Sequence, residues 1–193
     1  MPDALDDQRE RLLVEQIPRD PTAFRNLYDL YFGRVYSYVA AKVNDPLDAE
    51  DLVSDIFLQV VKCLPQFKNQ HPFSFAAWVF TIARNTVTDF YRRQGRTFDG
   101  LQWETLDNEP DGIEFDHALI EQEQAAELNN MMKLLPERRR EVMLLKYFSG
   151  LRNNEIAQIL HLDERTVASH LSRGLKDLYE AYAKKRSIER NNP

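Results

Sequence analysis

Between Thr97 and Glu127 the chain carries ten acidic residues and neither Lys nor Arg. The stretch "TFDGLQWETLDNEPDGIEFD" adds two glycines, one proline and no sustained apolar period. A segment of this kind buries too little apolar surface to offset the entropy of ordering its backbone. It therefore divides the chain, and each flank must build a core of its own. That predicts two small domains, 1–96 and 128–193, joined by an acidic flexible linker over 97–127.

The division also changes the meaning of the charge. The formal net charge is −6. Outside the acidic segment, 25 basic residues face 21 acidic ones, a balance of +4. Residues 131–193 hold 13 basic and 8 acidic residues, a balance of +5. The total argues against nucleic-acid binding, but the parts expected to fold are basic.

Other classes drop out early. The single cysteine, Cys63, forms neither an internal disulfide nor a cysteine cluster, and beside Val60, Val61 and Leu64 it reads as a small buried apolar residue. His71, His117, His161 and His170 are scattered without metal-ligand spacing. No nucleophile–base motif or phosphate-cradling glycine loop is present. The chain is therefore not expected to be an enzyme, and no cofactor or metal is expected. No apolar run approaches the ~18 residues of a membrane span, and "MPDALDDQRE" lacks the basic start and apolar stretch of a signal peptide. The expectation is a cytoplasmic protein with no membrane insertion of its own.

Helical periodicity dominates what is left, and β-type alternation is not sustained anywhere, so the fold class is all-α. Asp20 suits an N-cap and Pro21 a first helical position. Phe24, Leu27, Tyr28, Tyr31, Val35, Tyr38 and Val39 then recur at helical spacing up to a break at Asn44-Asp45-Pro46. A second helix places Leu52, Val53, Ile56, Phe57, Val60, Val61 and Leu64 on one stripe, with Pro65 as its stop. A third runs from Phe75 to Arg93, with Trp78, Val79, Ile82, Val87, Phe90 and Tyr91 as its apolar positions. Beyond the acidic segment, short helices are expected at 131–135, 137–148, 153–160 and 165–185. The N-terminal part is read as a helical bundle and the C-terminal part as a four-helix domain.

Three motifs carry function. In "NNEIAQILHLDERTVASHLSRGLKDL" a helix, a short turn and a second helix fit a helix-turn-helix. Ala157 is small where the helices cross, and Ile156, Leu160, Leu162 and Val167 are the buried positions. The second helix displays Arg165, Thr166, Ser169, His170 and Arg173, with Val167, Leu171, Leu175 and Leu178 inward. Such a helix enters the major groove, where its first residues read base edges and basic ones hold phosphates. His161 stands in the turn where glycine is commonest, and tolerates left-handed angles better than most residues.

The second motif is "DAEDLVSDIFLQVV", which exposes Asp48, Glu50, Asp51, Ser54, Asp55, Leu58 and Gln59. A solvated acidic face explains the carboxylates. An apolar Leu58 among them equally suits a docking surface for a basic partner. The third is "FKNQHPFSFAAWVFTIARNTVTDFYRRQ". Its aromatic residues Phe73, Phe75, Trp78, Phe80, Phe90 and Tyr91 cannot all face one side of one helix, and Arg84, Arg92, Arg93 and Arg96 are interleaved with them. Rings that stack on bases and guanidinium groups that hold phosphates are the chemistry of single-stranded nucleic acid, with Asn85 and Asp89 as polar readers. Any single ring, taken alone, also fits a core.

In this order the three motifs resemble the extracytoplasmic-function group of the bacterial sigma-70 family, over about 23–94 and 131–182. "DAEDLVSDIFLQV" resembles that family's polymerase-docking helix, "FAAWVFTIARNTVTDFYRR" its promoter-melting and minus-ten-reading helix, and "LPERRREVMLLKYFSGLRNNEIAQIL...TVASHLSRGLKDL" its minus-thirty-five-reading domain. The resemblance implies a non-catalytic transcription initiation factor whose partners are core RNA polymerase, promoter DNA and an anti-sigma factor, one that can hold it at the membrane. It implies 1–96 as region 2 and 128–193 as region 4. It implies polymerase binding by Asp48, Glu50, Asp51, Asp55, Leu58 and Gln59. It implies minus-ten contacts by Lys68, Asn69, Phe73, Trp78, Arg84, Asn85, Asp89, Arg92 and Arg93, with the loop from Lys68 to Phe73 holding a flipped base. Arg165, Thr166, Ser169, His170 and Arg173 would meet the minus-thirty-five element. The acidic linker would follow the basic channels of the polymerase as an RNA-like polyanion. Within the loop, "NQHPFSF" departs from the commonest family form. Two other readings stay in play: a stand-alone helix-turn-helix regulator, and a sigma mimic that sequesters an anti-sigma protein.

Overall fold

A computed structural model describes residues 12–14, 16–17, 20–43, 45–70, 74–95, 128 and 130–191. The acidic segment 97–127 lies outside the described residues, as does Phe73. Among the described residues the secondary structure is helical throughout, without strands.

The helices are α1 (Pro21–Ala40), α2 (Pro46–Gln70), α3 (Phe75–Arg93), α4 (Glu137–Tyr147), α5 (Asn153–Leu160) and α6 (Glu164–Asn191). Residues 130–133 form a further helical turn ahead of α4. The start of α1 follows from its cap. The Asp20 carboxylate accepts from Thr22 N at 2.8 Å, and Pro21 occupies a first-turn position whose missing N–H is no loss. Ser74 caps α3 in the same way, its Oγ accepting from Ala77 N at 3.1 Å.

Helices α1, α2 and α3 pack on one another and form the N-terminal bundle. Leu27, Tyr31, Val35, Tyr38 and Val39 of α1 are buried against Leu52, Val53, Ile56, Val60 and Leu64 of α2 and Val79, Phe80, Ala83 and Val87 of α3. Aromatic contacts reinforce the seams: Tyr31 meets Phe75 edge-on at 5.4 Å, and Tyr38 meets Phe80 edge-on at 5.7 Å. The C-terminal unit packs α4, α5 and α6 around Val142, Met143, Leu145, Ile156, Leu160, Val167 and Leu171. Here α6 runs so close to α4 that a Cβ on Gly174 would lie 2.8 Å from Met143 Sδ.

Several expectations change. Pro65 does not end α2, which runs on to Gln70. A proline removes the hydrogen bond to the carbonyl four residues back, here that of Val61. Val61 and Pro65 are both exposed, so water can serve that carbonyl and the helix continues. For the same reason Val61 does not belong to the buried stripe. On α3 the inward residue is Tyr91, 4% exposed, with Phe90 only half-buried, and Ile82 likewise lies half-buried beside the core. Ala83, Val87 and Tyr91 follow one another at four-residue spacing, and the Tyr91 hydroxyl donates to Lys42 O at 2.6 Å. Leu175, expected inward on α6, is 49% exposed, because Gly174 and Leu178 occupy the inward face on either side of it.

The two halves are in contact. Helix α3 packs against α5, and the loop between α4 and α5 reaches α1.

Candidate nucleic-acid interface

The turn of the helix-turn-helix forms as the sequence predicts. Helix α5 stops at Leu160 and His161 adopts φ 52°, ψ 52°, the left-handed region. Leu162 N then donates to Ala157 O at 2.8 Å, closing the helix end, and Arg138 of α4 donates to Leu160 O at 2.8 Å. Two of the orphan carbonyls of α5 are satisfied, which fixes the angle at which α6 leaves. Val167 and Leu171 anchor α6, while Arg165, Ser169 and Arg173 are exposed and Thr166 and His170 half-buried beside them. The first three turns of α6 therefore leave all five expected readers at least partly exposed. Burial pushes His170 below the usual histidine range, and Arg139, Arg138 and Arg173 push it further the same way. This edge is electropositive, as a phosphate-facing surface requires.

On α2 the expected docking face is likewise outward. Glu50, Asp51, Asp55 and Gln59 are exposed, Asp48 is half-buried, and Leu58 is 57% exposed among them. Partial burial, then the neighbouring Asp45 and Asp51, raises the Asp48 carboxyl above its ordinary value. Like charges crowded on one face are relieved by a basic partner.

The third surface is less uniform. Asn85, Arg92 and Arg93 are exposed, and Asp89 pairs with Arg92 at 3.2 Å. Trp78 is only 9% exposed, with its ring 4.9 Å from Phe67 and 5.5 Å from Phe75. Both aromatic neighbours belong to the bundle, so in this structure Trp78 is part of the core. Lys68 and Asn69 stand on the last turn of α2 and not in a loop. Their side chains, and Phe73 as a whole, lie outside what is described. Arg84 is half-buried and turned toward the C-terminal unit, its Nε 3.8 Å from Glu141 Oε1.

Sequence reasoning missed that last relationship. Glu141 of α4 is 5% exposed and reaches into the N-terminal bundle. It accepts from the Tyr38 hydroxyl at 2.7 Å and pairs with Lys42 Nζ at 2.5 Å. Lys42 Nζ also donates to the Tyr38 hydroxyl at 2.9 Å. Nearby, Arg34 lies over the Tyr31 ring at 4.9 Å and donates through Nε and Nη2 to Ser149 O, the Nε contact being 2.8 Å. The adjoining Gly150 takes φ +67°, a conformation a side chain would strain. Ser74, the α3 cap, donates to Glu155, whose other oxygen accepts from Arg152 N at 2.7 Å. One carboxylate thus ties the starts of α3 and α5 together. Tyr38 and Glu141 are 103 residues apart, beyond any local pattern.

Residues 27–97 match the family model for sigma-70 region 2, and residues 125–178 that for sigma-70, region 4. The ECF RNA polymerase sigma factor BldN of Streptomyces coelicolor is 31% identical over 175 residues, which cover 90% of this chain and 66% of BldN. The chain belongs to the extracytoplasmic-function group of the sigma-70 family. It spans just under two thirds of BldN's length. Two solved structures share the fold of this sigma factor. CnrH in complex with the cytosolic domain of CnrY matches at a TM-score of 0.68 and 21% identity, over 91% of this chain and 98% of that one. The sigma factor RpoE in complex with the anti-sigma factor NepR from Bartonella quintana matches at 0.61 and 24%, over 81% and 94%. The family is one of initiation factors and not of enzymes. Among the described residues of this sigma factor no helix is long and apolar enough to cross a membrane, and no group of His, Cys, Asp or Glu is placed to hold a metal.

Proposed function

We propose that this sigma factor binds core RNA polymerase through the acidic face of α2 and directs promoter-specific initiation in the cytoplasm. Asp48, Glu50, Asp51, Asp55, Leu58 and Gln59 form the docking face. Arg165, Thr166, Ser169, His170 and Arg173 read the minus-thirty-five element. Arg84, Asn85, Asp89, Arg92 and Arg93, with Lys68, Asn69 and Phe73, engage the minus-ten element as it opens. Unstacking a base costs on the order of a few kcal/mol, and stacking it on the protein returns ~1–3 kcal/mol. Domains 1–96 and 128–193 act as region 2 and region 4, and the acidic segment between them enters the basic channels of the polymerase. An anti-sigma factor is the expected regulatory partner, in keeping with the NepR complex of RpoE.

The observation that carries this reading is the combination of two exposed faces on separate units: a reading helix on α6 and an acidic face with a protruding Leu58 on α2. A stand-alone regulator needs only the first. A sigma mimic needs no reading residues, yet Arg165, Ser169 and Arg173 are exposed, with Thr166 and His170 half-buried beside them. A gel shift with a target promoter decides between them. Specific binding only when core polymerase is added supports the proposal. Equally specific binding by the sigma factor alone supports a stand-alone regulator.

A further inference from the structure

Of the five expected readers on α6, Arg165 and Arg173 are permanently charged, and Thr166 and Ser169 permanently neutral. Only His170 can change its charge near neutral pH. It is also the reader that α4 surrounds. Arg139 runs along α6 just beyond it: its Cγ lies 3.4 Å from where a Cβ on Gly174 would stand, and its guanidinium pairs with Asp177. Gly174 is one helical turn from His170. Arg138 is fixed nearer the start of α6, its Nη2 donating to Leu160 O at 2.8 Å. Arg173 stands three residues further along the same helix and is exposed. His170 is thus half-buried at an edge where three guanidinium groups act on it, while the carboxylate of Asp177 is already taken by Arg139.

That setting opposes a charge on the imidazole. Burial disfavours the imidazolium and each guanidinium repels it, so the free protein holds the ring neutral at neutral pH. A DNA phosphate reverses the sign. One that settles on Arg173 at this edge lies among the same cations, cancels part of their repulsion, and adds an attraction for an imidazolium N–H. The arginines that keep the ring neutral in the free protein are therefore the groups that draw a phosphate to it. Binding and protonation become coupled at His170, and at no other of the five readers, because no other exchanges a proton in this range.

We infer that His170 is a proton-linked phosphate contact: it is neutral in the free sigma factor and takes up one proton from solvent as the minus-thirty-five element binds, then donates as an imidazolium to a backbone phosphate beside Arg173. The ring nitrogen that was an acceptor becomes a donor, and no bond of the DNA changes. The inference rests on α6 reading that element. Its consequence is a promoter affinity that depends on pH. The bound form holds the extra proton, so affinity is lowest where the ring is neutral in both states. It climbs as pH falls through the bound-state value and levels off below the free-state value. For one proton the climb is at most about tenfold per pH unit.

The test is fluorescence anisotropy of a labelled promoter fragment with core polymerase and the full-length sigma factor, at pH values on either side of the ordinary histidine value of 6.5. Calorimetry in buffers of different ionisation heat counts the protons taken up on binding. The wild type should bind more tightly at the acid end, with a net uptake approaching one proton. His170→Arg carries a fixed charge and should bind as tightly as the acid-end wild type, without the pH dependence and without the proton. His170→Asn should be equally flat in pH and bind as weakly as the wild type at the alkaline end. A readout on the free protein needs no DNA: the His170 ring, followed by NMR, should titrate below 6.5, and Arg139→Gln should move its midpoint up. Helical content measured alongside shows whether each variant is folded. A pH dependence that persists unchanged in both His170 variants, or a wild type that takes up no proton, would overturn the proton-linked contact. No preference for the promoter at any pH would overturn the reading by α6 itself, and the contact with it.

Discussion

Lys42 Nζ and Glu141 Oε2 lie 2.5 Å apart, and they join the end of the first long helix to the start of the C-terminal unit. Both groups are almost wholly removed from solvent. Burial alone pushes the Glu141 carboxyl up, but Lys42, the hydrogen bonds from Lys42 and Tyr38, and Arg84 together outweigh it and hold the group below its ordinary value of 4.5. Burial also lowers Lys42, with Glu141 opposing.

The sign of that shift predicts how the contact responds to acid. A carboxyl whose value is depressed in the folded form stabilises it above the unfolded value, and the contribution disappears as pH falls through the folded value. Tyr38 from α1, Lys42 just beyond its end and Arg84 from α3 face this carboxylate. The contact between the two units is therefore expected to be at full strength above about pH 4.5 and to weaken progressively below it. Hydrodynamic radius against pH checks this. Glu141→Gln should remove the transition, and its persistence in that variant would assign it to another group.

Leu58 separates docking from folding. It is 57% exposed and stands outside the core cluster. Leu58→Ala should change unfolding free energy by no more than about 0.5 kcal/mol. Affinity for core polymerase, measured by fluorescence anisotropy, should fall by about tenfold or more, as for the apolar centre of a docking face. Unchanged affinity would remove Leu58 from the interface.

Gly174 tests the packing beneath the reading helix. A methyl there meets Met143 Sδ at 2.8 Å and Cγ at 2.9 Å, and Met143 is 1% exposed with little room to retreat. Overpacking costs about 1–3 kcal/mol, whereas glycine to alanine inside a helix gains about 1 kcal/mol. The balance predicts that Gly174→Ala is destabilising in urea unfolding, by up to about 2 kcal/mol. A second change, Met143→Ala, should then cost less in the Gly174→Ala background than alone.

His161 carries backbone strain in the helix-turn-helix. At φ 52° an L-residue gives up about 1–2 kcal/mol, and glycine escapes this at an entropic cost of about 0.5–1 kcal/mol. His161→Gly should raise the melting temperature slightly, and His161→Val, branched at Cβ, should lower it. Thermal unfolding with the opposite order would show that the turn is held by more than its dihedral angles.

Much of this was legible in the chain because the signals are local. Asp20-Pro21 marks the start of α1, and the bounds Phe75–Arg93 and Asn153–Leu160 follow from apolar spacing alone. The left-handed His161 follows from its place between Leu160 and Leu162 in a helix-turn-helix register. Pro65 misled because a proline breaks a helix only where the lost hydrogen bond cannot be replaced, and exposure is not written in the residues around it. Tyr91 was legible in principle, four residues after Val87, but a phenol reads as an exposed aromatic until its hydroxyl finds Lys42 O. The Glu141 contact left no such trace. In sequence Lys42 and Glu141 are ordinary charges on two amphipathic helices, and only the folded chain brings them together.

The most direct test of the account is run-off transcription with core RNA polymerase, with and without this sigma factor, on templates bearing a target promoter. The account predicts a promoter-specific transcript that requires the sigma factor. It also predicts loss of that transcript when Arg165 and Arg173 are both replaced by Ala, with polymerase binding retained. A sigma factor that binds core polymerase yet gives no promoter-dependent product on any template would contradict it.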